Sequence, residues 1–484
     1  MPKFRTIKNI FILSFLGSLI SSASIYWVNT CTTYSSFKAC KVASFMSIPG
    51  RFFLNQLSNT KSISSKFFKT GKFILSGNII NPDETSQRFE KISPGFSFNY
   101  PSGSRPNAGY LLLSRANPSN RGLPSVELWD MNNQIKIHEY KFDFAKLSKI
   151  KNLVQDPLKS KKYFHPIMLE DGSLVAIDTS LIKFDKCGKL DNFNSDYHFH
   201  HSLTKDIDGN IYVPIKERTA YNPNSLILEN IKFIDYEGQF GIFDKNLNLI
   251  KKYSLLNIYR KNGLIADIAG MDRVKSDPFH INDIEPLERG DGTKIVLLSN
   301  RHLSNVVAIE LNSQKVIWNI QRATLLQHDV DIINKSNDTI DISIFDNNVE
   351  HHPKGYKVKT NNYVTFEGLP INQKEGILNI SDNFYHKKYN MQRNSFNSLP
   401  KSLRPITPTQ GLAEFIKANN SLMIEETDYG RIFEIDLTNN KILWQYINKD
   451  TKGSPAYIMN WSRRLNKLPG KLNQQSFKSC QLKV

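Results

Sequence analysis

From about Lys91 onward, short runs of β-branched, aromatic and aliphatic residues alternate with Asp-Gly, Asn-Asn and Lys-Asn pairs, the pattern of strands joined by tight hairpins. The runs fall into similar units. Gly109 to Ser114, Val126 to Asp130 and Ile135 to Tyr140 form the first; Pro166 to Leu169, Leu174 to Ile177 and Leu181 to Asp185 form the second. The third holds His201 to Thr204, Ile211 to Ile215, Phe240 to Asp244 and Leu249 to Tyr253. Ile281 to Leu287, Lys294 to Ser299, Val306 to Leu311 and Lys315 to Trp318 make the fourth. Asp329 to Ile333, Ile340 to Phe345, Tyr363 to Phe366 and Gly376 to Ile380 make the fifth, and Leu412 to Ile416, Leu422 to Ile424, Arg431 to Asp436 and Ile442 to Tyr446 the sixth. No helical period intervenes. Six such units, read as blades of four antiparallel strands, predict an all-β fold, a six-bladed β-propeller over residues 91–465, rather than a solenoid or a sandwich. Long loops at 222–232 and 382–407 make the period irregular, and His351-His352 falls in a solvated loop after Asn348.

The first 90 residues have a different texture. Ile10 to Val28 carries no charge and is long enough to cross a bilayer as a helix. Lys3, Arg5 and Lys8 precede it, and Tyr26-Trp27 suits an interfacial aromatic belt. Ser22-Ala23-Ser24 resembles a cleavage site, but the apolar run continues past it, which favours a retained signal anchor. The predicted organisation is a short basic N-terminus (1–9), a transmembrane anchor (10–28), a basic stalk (29–90), the propeller (91–465) and a C-terminal tail (466–484). A first helix with a short basic end places the rest of a single-pass chain on the extracytoplasmic side.

Charge sharpens this picture. The formal net charge is +18, and Met1 to Pro82 contains ten Lys or Arg and no Asp or Glu. Beside a hydrophobic segment such a stretch reads as a contact with the lipid bilayer or a solvated linker, not a nucleic-acid surface. Cys31 and Cys40 flank the outer end of the anchor, while Cys187 and Cys480 stand isolated. Their spacing predicts neither a disulfide framework nor a zinc or CxxC site.

Candidate chemistry gathers at one end of the propeller. The first strand of each blade lies nearest the axis, so equivalent positions of successive first strands converge at one channel mouth. His165 opens the second blade, His200 and His201 the third, His280 the fourth and His328 the fifth, in a chain with 11 histidines. The end of a second strand emerges on the same face, which adds Arg115, Arg301, Asp346, Asn347 and the pair Glu425-Glu426. Imidazoles with a guanidinium and an amide suit a compact oxyanion, since Arg offers a planar fork of donors and His donates, accepts or attacks. A zinc, copper or nickel site is the rival for a histidine cluster. The neighbouring guanidinium repels a cation, so no metal or other cofactor is expected.

At these residues the chain resembles the bacterial arylsulfotransferases. The resemblance spans about Gly109 to Leu465 and is carried by His200-His201 with the following Ser-Leu-Thr-Lys-Asp, by Asp277-Pro-Phe-His280-Ile-Asn282, by Ser299-Asn-Arg301-His, by Gln327-His328-Asp and by Tyr429-Gly-Arg-Ile-Phe. It implies a nucleotide-independent transfer of a sulfuryl group from an aryl sulfate to a phenolic acceptor. His328 would be the nucleophile and carry the group transiently. His280, Arg301 and Asn282 would hold the sulfuryl oxygens, and His201, with His200 beside it, would handle the phenolic proton. Family members carry a separate N-terminal β domain and are soluble dimers, whereas this chain has the anchor and stalk. Propellers keep their fold when activity is lost. The alternative is therefore a non-catalytic, membrane-tethered propeller that binds an anionic ligand or a partner protein. A quinoprotein-like propeller lacks its regular Trp-containing repeat here.

Overall fold

The computed structural model describes residues 79–80, 85–86, 88–120, 122–150, 162–217, 236–269, 277–352, 355–372 and 376–481. The predicted anchor at 10–28, the stalk up to residue 78, Cys31 and Cys40 lie outside them. Among the described residues no helix is long and apolar enough to cross a membrane.

Six antiparallel sheets form the blades of a propeller. Blade two runs Phe164–Met168, Leu174–Asp178, Ser180–Phe184 and Leu190–Asn194 from the axis outward; blade three runs Thr204–Lys205, Ile211–Ile215, Gln239–Phe243 and Leu249–Ser254. Blade four comprises Ile281–Glu288, Lys294–Asn300, Asn305–Glu310 and Lys315–Gln321. Blade five comprises His328–Lys335, Thr339–Asp346, Asn362–Pro370 and Gln392–Asn394. Blade six comprises Leu412–Ile416, Ser421–Glu426, Arg431–Asp436 and Ile442–Ile447, with Gly95–Phe98 added on its outer edge.

The second strands read as near-continuous apolar runs because each blade is covered on both faces. Successive side chains point to opposite faces, so Ile295 and Leu297 pack toward blade five while Val296 and Leu298 pack toward blade three. Six separate apolar clusters result, one between each pair of neighbouring blades. The short helices Leu255–Lys261 and Ile265–Ala269, which the strand pattern does not show, join the cluster between blades three and four.

Three expectations are corrected and one strand is added. The run after Gly109 is the second strand of blade one, as the placing of Arg115 requires. Arg463–Leu465, from the far end of the chain, pairs inside Tyr110–Asn117 and closes the ring. Leu378–Ile380 is not the outer strand of blade five; it lies parallel to the edge of blade four, Trp318 opposite Leu378. His351 and His352 lie in a strand of a hairpin, opposite Tyr356 and Gly355, and not in a loop. Cys187 and Cys480 are not isolated but form a disulfide across a sequence separation of 293. Sequence spacing has no information on such a pair, because the C-terminal segment meets blade two only once the ring has closed. Phe477 is buried and stacks on His138 at 4.7 Å, holding that segment against blade one. Cross-linking a loop of this length constrains the unfolded chain by on the order of 5 kcal/mol. Cys480→Ser should therefore lower the denaturant midpoint without changing the circular-dichroism spectrum of the native state. An unchanged midpoint would show that Phe477 packing alone fastens the segment.

Candidate functional site: the channel mouth

A backbone feature repeats at the axis. At or just before the start of each innermost strand stands a non-glycine residue in the left-handed region: His165 (φ 40°), His201 (62°), His280 (46°), Leu326 (53°), Gln410 (61°) and Trp461 (59°). Such residues cost roughly 1–3 kcal/mol each and persist where the surroundings fix them. The register also slips there, between Phe164 and Ile167, Ile281 and Asp283, and His328 and Val330. A bulge bends the strand and re-aims side chains. Here it brings rings from three blades together.

His201 sits at the centre. Its ring centroid lies 4.9 Å from His200, 5.0 Å from His280 and 5.9 Å from His328. His302 adds a fourth partner to the group, stacked on His280 at 4.3 Å. Trp461, fully buried, forms the floor: its ring stands 6.0 Å from His328, 6.3 Å from His201 and 5.3 Å from His165. His165 shares the histidine phase but lines the channel cavity. His198 is exposed, which leaves His200 and His201 as the pair that meets the cluster.

Hydrogen bonds fix how each ring is presented. Asn347 donates its amide to the carbonyls of Thr407 and Gln410, so its Oδ1 must accept, and the His328 Nδ1, 2.7 Å away, is the donor. His328 Nε2 therefore carries the lone pair, met by the Gln410 N–H at 3.2 Å. By the same logic His280 donates Nδ1–H to Asp277 Oδ2 at 2.8 Å and leaves its Nε2 bare. His302 donates to the Asp277 carbonyl at 2.7 Å, and its Nε2 accepts from Arg301 Nη1 at 3.1 Å. His200 and His201 face each other through their Nδ1 atoms at 2.6 Å, one proton between them.

His328, His201, His280 and His200 are neutral at rest. Burial, then the charge of Arg301, holds His328 well below the ordinary 6.5. Burial and the neighbouring histidines, with Arg301, do the same for His201 and His280. Burial pushes His200 down to about 3, with Asp277 acting against it.

The other residues expected at this mouth divide. Arg301 is buried within it. Asn282 is fully buried and donates its amide to the Gln327 carbonyl at 2.7 Å, so it braces the main chain that carries His328. Arg115 pairs with Glu127 at 2.8 Å, Asp346 with Arg393, and Glu426 with Arg431 at 3.0 Å, all inside their own blades or loops. Glu425 accepts the Trp461 and Ser462 N–H groups and sets the floor. Asp277 and His302 stand in the runs that carry the resemblance but were not singled out, and Asn347 was placed only at the rim. Trp461 carries no local signal, since the last strand enters blade one from the opposite end of the chain. Asp277, His280 and His302 bring three ligand atoms within 4.8 Å of one another, a set a transition metal would accept. Lys216 Nζ at 3.4 Å from Asp277 and the Arg301 contact to His302 place two positive charges on those same ligands, which disfavours a cation.

Fold and mouth together define the class: a six-bladed propeller with a buried, neutral histidine cluster at the entrance of its channel. Within it, this chain belongs to the Arylsulfotransferase (ASST) family, whose model matches residues 182–449, more than half of the chain. No curated protein matches the chain. Among solved structures, a protein of unknown function from Bacteroides caccae is similar at 10% identity and a TM-score of 0.40, covering 73% of this chain and 98% of that one. The Kuenenia stuttgartiensis hydrazine synthase is similar at 14% identity and a TM-score of 0.34, covering 65% of this chain and 70% of that one.

Proposed function

We propose that the protein transfers a sulfuryl group from an aryl sulfate to a phenol, with His328 carrying the group between the two. The observation that supports this most is the fixed tautomer of His328: Asn347 holds Nδ1–H and leaves the Nε2 lone pair on a ring kept neutral. In the first step Nε2 attacks sulfur, the N–S bond forms and the S–O bond to the phenol breaks. The long contact from the Gln410 N–H gives way to the new bond. Positive charge then appears on the imidazole, and the bond from Nδ1–H to Asn347 strengthens. Splitting the transfer at an activated nucleophile replaces one difficult step with two easier ones.

Arg301 supplies donors to the equatorial oxygens where charge develops. The donor phenolate leaves with the proton of His201 Nε2 while the bridging proton shifts from His200 Nδ1 to His201 Nδ1, and the acceptor phenol returns a proton to Nε2 by the reverse shift. Neutral His280, whose donor is held by Asp277, offers a lone pair and orients the cluster instead of donating to the sulfuryl group. The disulfide belongs with an oxidising compartment, which supports an extracytoplasmic propeller tethered by residues 10–28. Alkaline carbonate extraction of the full chain should leave it in the membrane fraction; release into the supernatant would remove the tether.

The test is release of nitrophenol from nitrophenyl sulfate by the full-length chain, which should depend on added phenol and follow parallel, ping-pong kinetics. Failure across a broad donor panel, with retained binding of aryl sulfates, would establish the non-catalytic alternative. The pH profile adds a sign. A nucleophile lowered below 6.5 stays unprotonated as pH falls through that value. The donor kcat/KM should therefore be level down to about pH 5.5, where an ordinary imidazole loses about tenfold. A limb at 6.5 would argue against His328 in this environment.

A further inference from the structure

A guanidinium on a long flexible stem has to be aimed before it can serve developing charge. Arg301 directly follows the strand Lys294–Asn300 and is 4% exposed. Its main chain is pinned to the turn that leads into blade four. The Arg301 N–H donates to the His280 carbonyl at 3.3 Å, and the His302 N–H to that of Phe279 at 3.4 Å. Those bonds place the base of the stem, and the direction of the fork is left to side-chain contacts. One of these is the 3.1 Å contact from Arg301 Nη1 to His302 Nε2.

The chemistry of the partners assigns both ends of the His302 ring. A guanidinium has no acceptor, so Nε2 must accept and the single ring proton sits on Nδ1. There it meets the Asp277 carbonyl at 2.7 Å, a group that only accepts. That carbonyl stands on a rigid base. Phe279, two residues on, is fully buried in the cluster between blades three and four, edge-on to Tyr259 at 4.9 Å. Gly238, at φ 62°, packs so close that a Cβ there would come within 2.7 Å of the Phe279 ring. Asp277 serves the neighbouring ring with other atoms: Oδ2 takes the His280 Nδ1–H, and Oδ1 the His280 N–H at 3.2 Å. His302 stacks on His280 at 4.3 Å. The stack accounts for an aromatic ring at this position. It does not account for a ring whose two nitrogens are matched, one to a carbonyl and the other to Arg301.

We propose that His302 is a positioning residue that aims Arg301 at the sulfuryl oxygens, a role that rests on the reading of Arg301 as their donor. The acceptor on Nη1 sets the plane of the fork. It also differs in kind from the carboxylates that hold Arg115, Arg393 and Arg431, which are Glu127, Asp346 and Glu426. A carboxylate fixes direction and cancels charge; an imidazole with one ring proton fixes direction and leaves the positive charge to the substrate.

Two substitutions in the full-length chain separate this role from packing. His302→Phe keeps a ring to stack on His280 and removes both nitrogens. His302→Gln returns an acceptor, because the glutamine amide reaches as far as the imidazole Nε2. The first should lower turnover of nitrophenyl sulfate with phenol by roughly 10- to 100-fold, chiefly in kcat, and the second should recover most of that. Placed on Arg301→Ala, His302→Phe should cost no more than about twofold further, since it acts through the group already removed. Parent-like kcat in His302→Phe, equal losses in the Phe and Gln variants, or full additivity with Arg301→Ala would each overturn the role. Calorimetric titration of the same proteins with inorganic sulfate distinguishes it from the transfer reading. A parent that binds sulfate but turns over no aryl sulfate ends that reading alone. The aim of Arg301 is then supported by sulfate affinity that falls in each single variant and no further in the double, and overturned by additive losses. A parent that neither binds sulfate nor transfers it overturns both.

Discussion

His328→Ala is expected to lower phenol-dependent turnover by at least about 10³-fold, because it removes the nitrogen that forms the bond to sulfur. Incubation with a ³⁵S-labelled aryl sulfate in the absence of acceptor should label the parent protein on the peptide containing His328 and leave the variant unlabelled. Label retained in the variant would move the nucleophile elsewhere, with His280 the first candidate because its Nε2 is also bare. Asn347→Ala separates position from identity. It keeps the nucleophile but frees its tautomer, and a loss of roughly 10- to 100-fold is expected, the range seen when a ring loses its orienting partner. Equal stability of parent and variant in a thermal scan would show that the loss is one of presentation and not of fold.

Arg301→Ala should cost about 10² to 10³-fold, chiefly in kcat, since its donors serve oxygens whose charge grows toward the transition state. Arg301→Lys should recover part of this, a point charge without the planar fork. The pH profile supplies a readout that a merely structural role would not move. Arg301 is the largest charge acting to hold His328 low, after burial itself. Removing it lets the imidazole rise toward its ordinary value, so the acid limb of the donor kcat/KM should move to higher pH in the alanine variant and stay near the parent in the lysine variant. An unmoved limb in both would show that burial alone sets the state of His328.

Much of the architecture was legible in the strand pattern, for a specific reason. A blade is a local object: three hairpins joined by Asp-Gly or Asn-Asn turns, with apolar runs that betray coverage on both faces. The inner hairpin also carries its own geometry, which is why His201, His280, His328 and Arg301 were expected at one mouth, and the backbone brings all four into it. The failures occur where a strand or side chain takes its place from a distant segment. Leu378–Ile380 sits on blade four because an edge was open there, and its sequence says only that it is extended.

The sequence by itself determined the blades and the histidine phase, since each follows from periods and turns a few residues long. Ring closure decided the rest. Only when Arg463–Leu465 enters blade one does Trp461 become the floor of the histidine cluster, Arg463 a lining residue of the channel cavity, and Cys480 the partner of Cys187. The tautomers of His328 and His280 likewise depend on Asn347 and Asp277, whose meaning lies in a single hydrogen bond. Spacing along a chain encodes which residues share a face; it does not encode which atom of a ring is left bare, because that is set by the partner that three-dimensional packing brings to the other side.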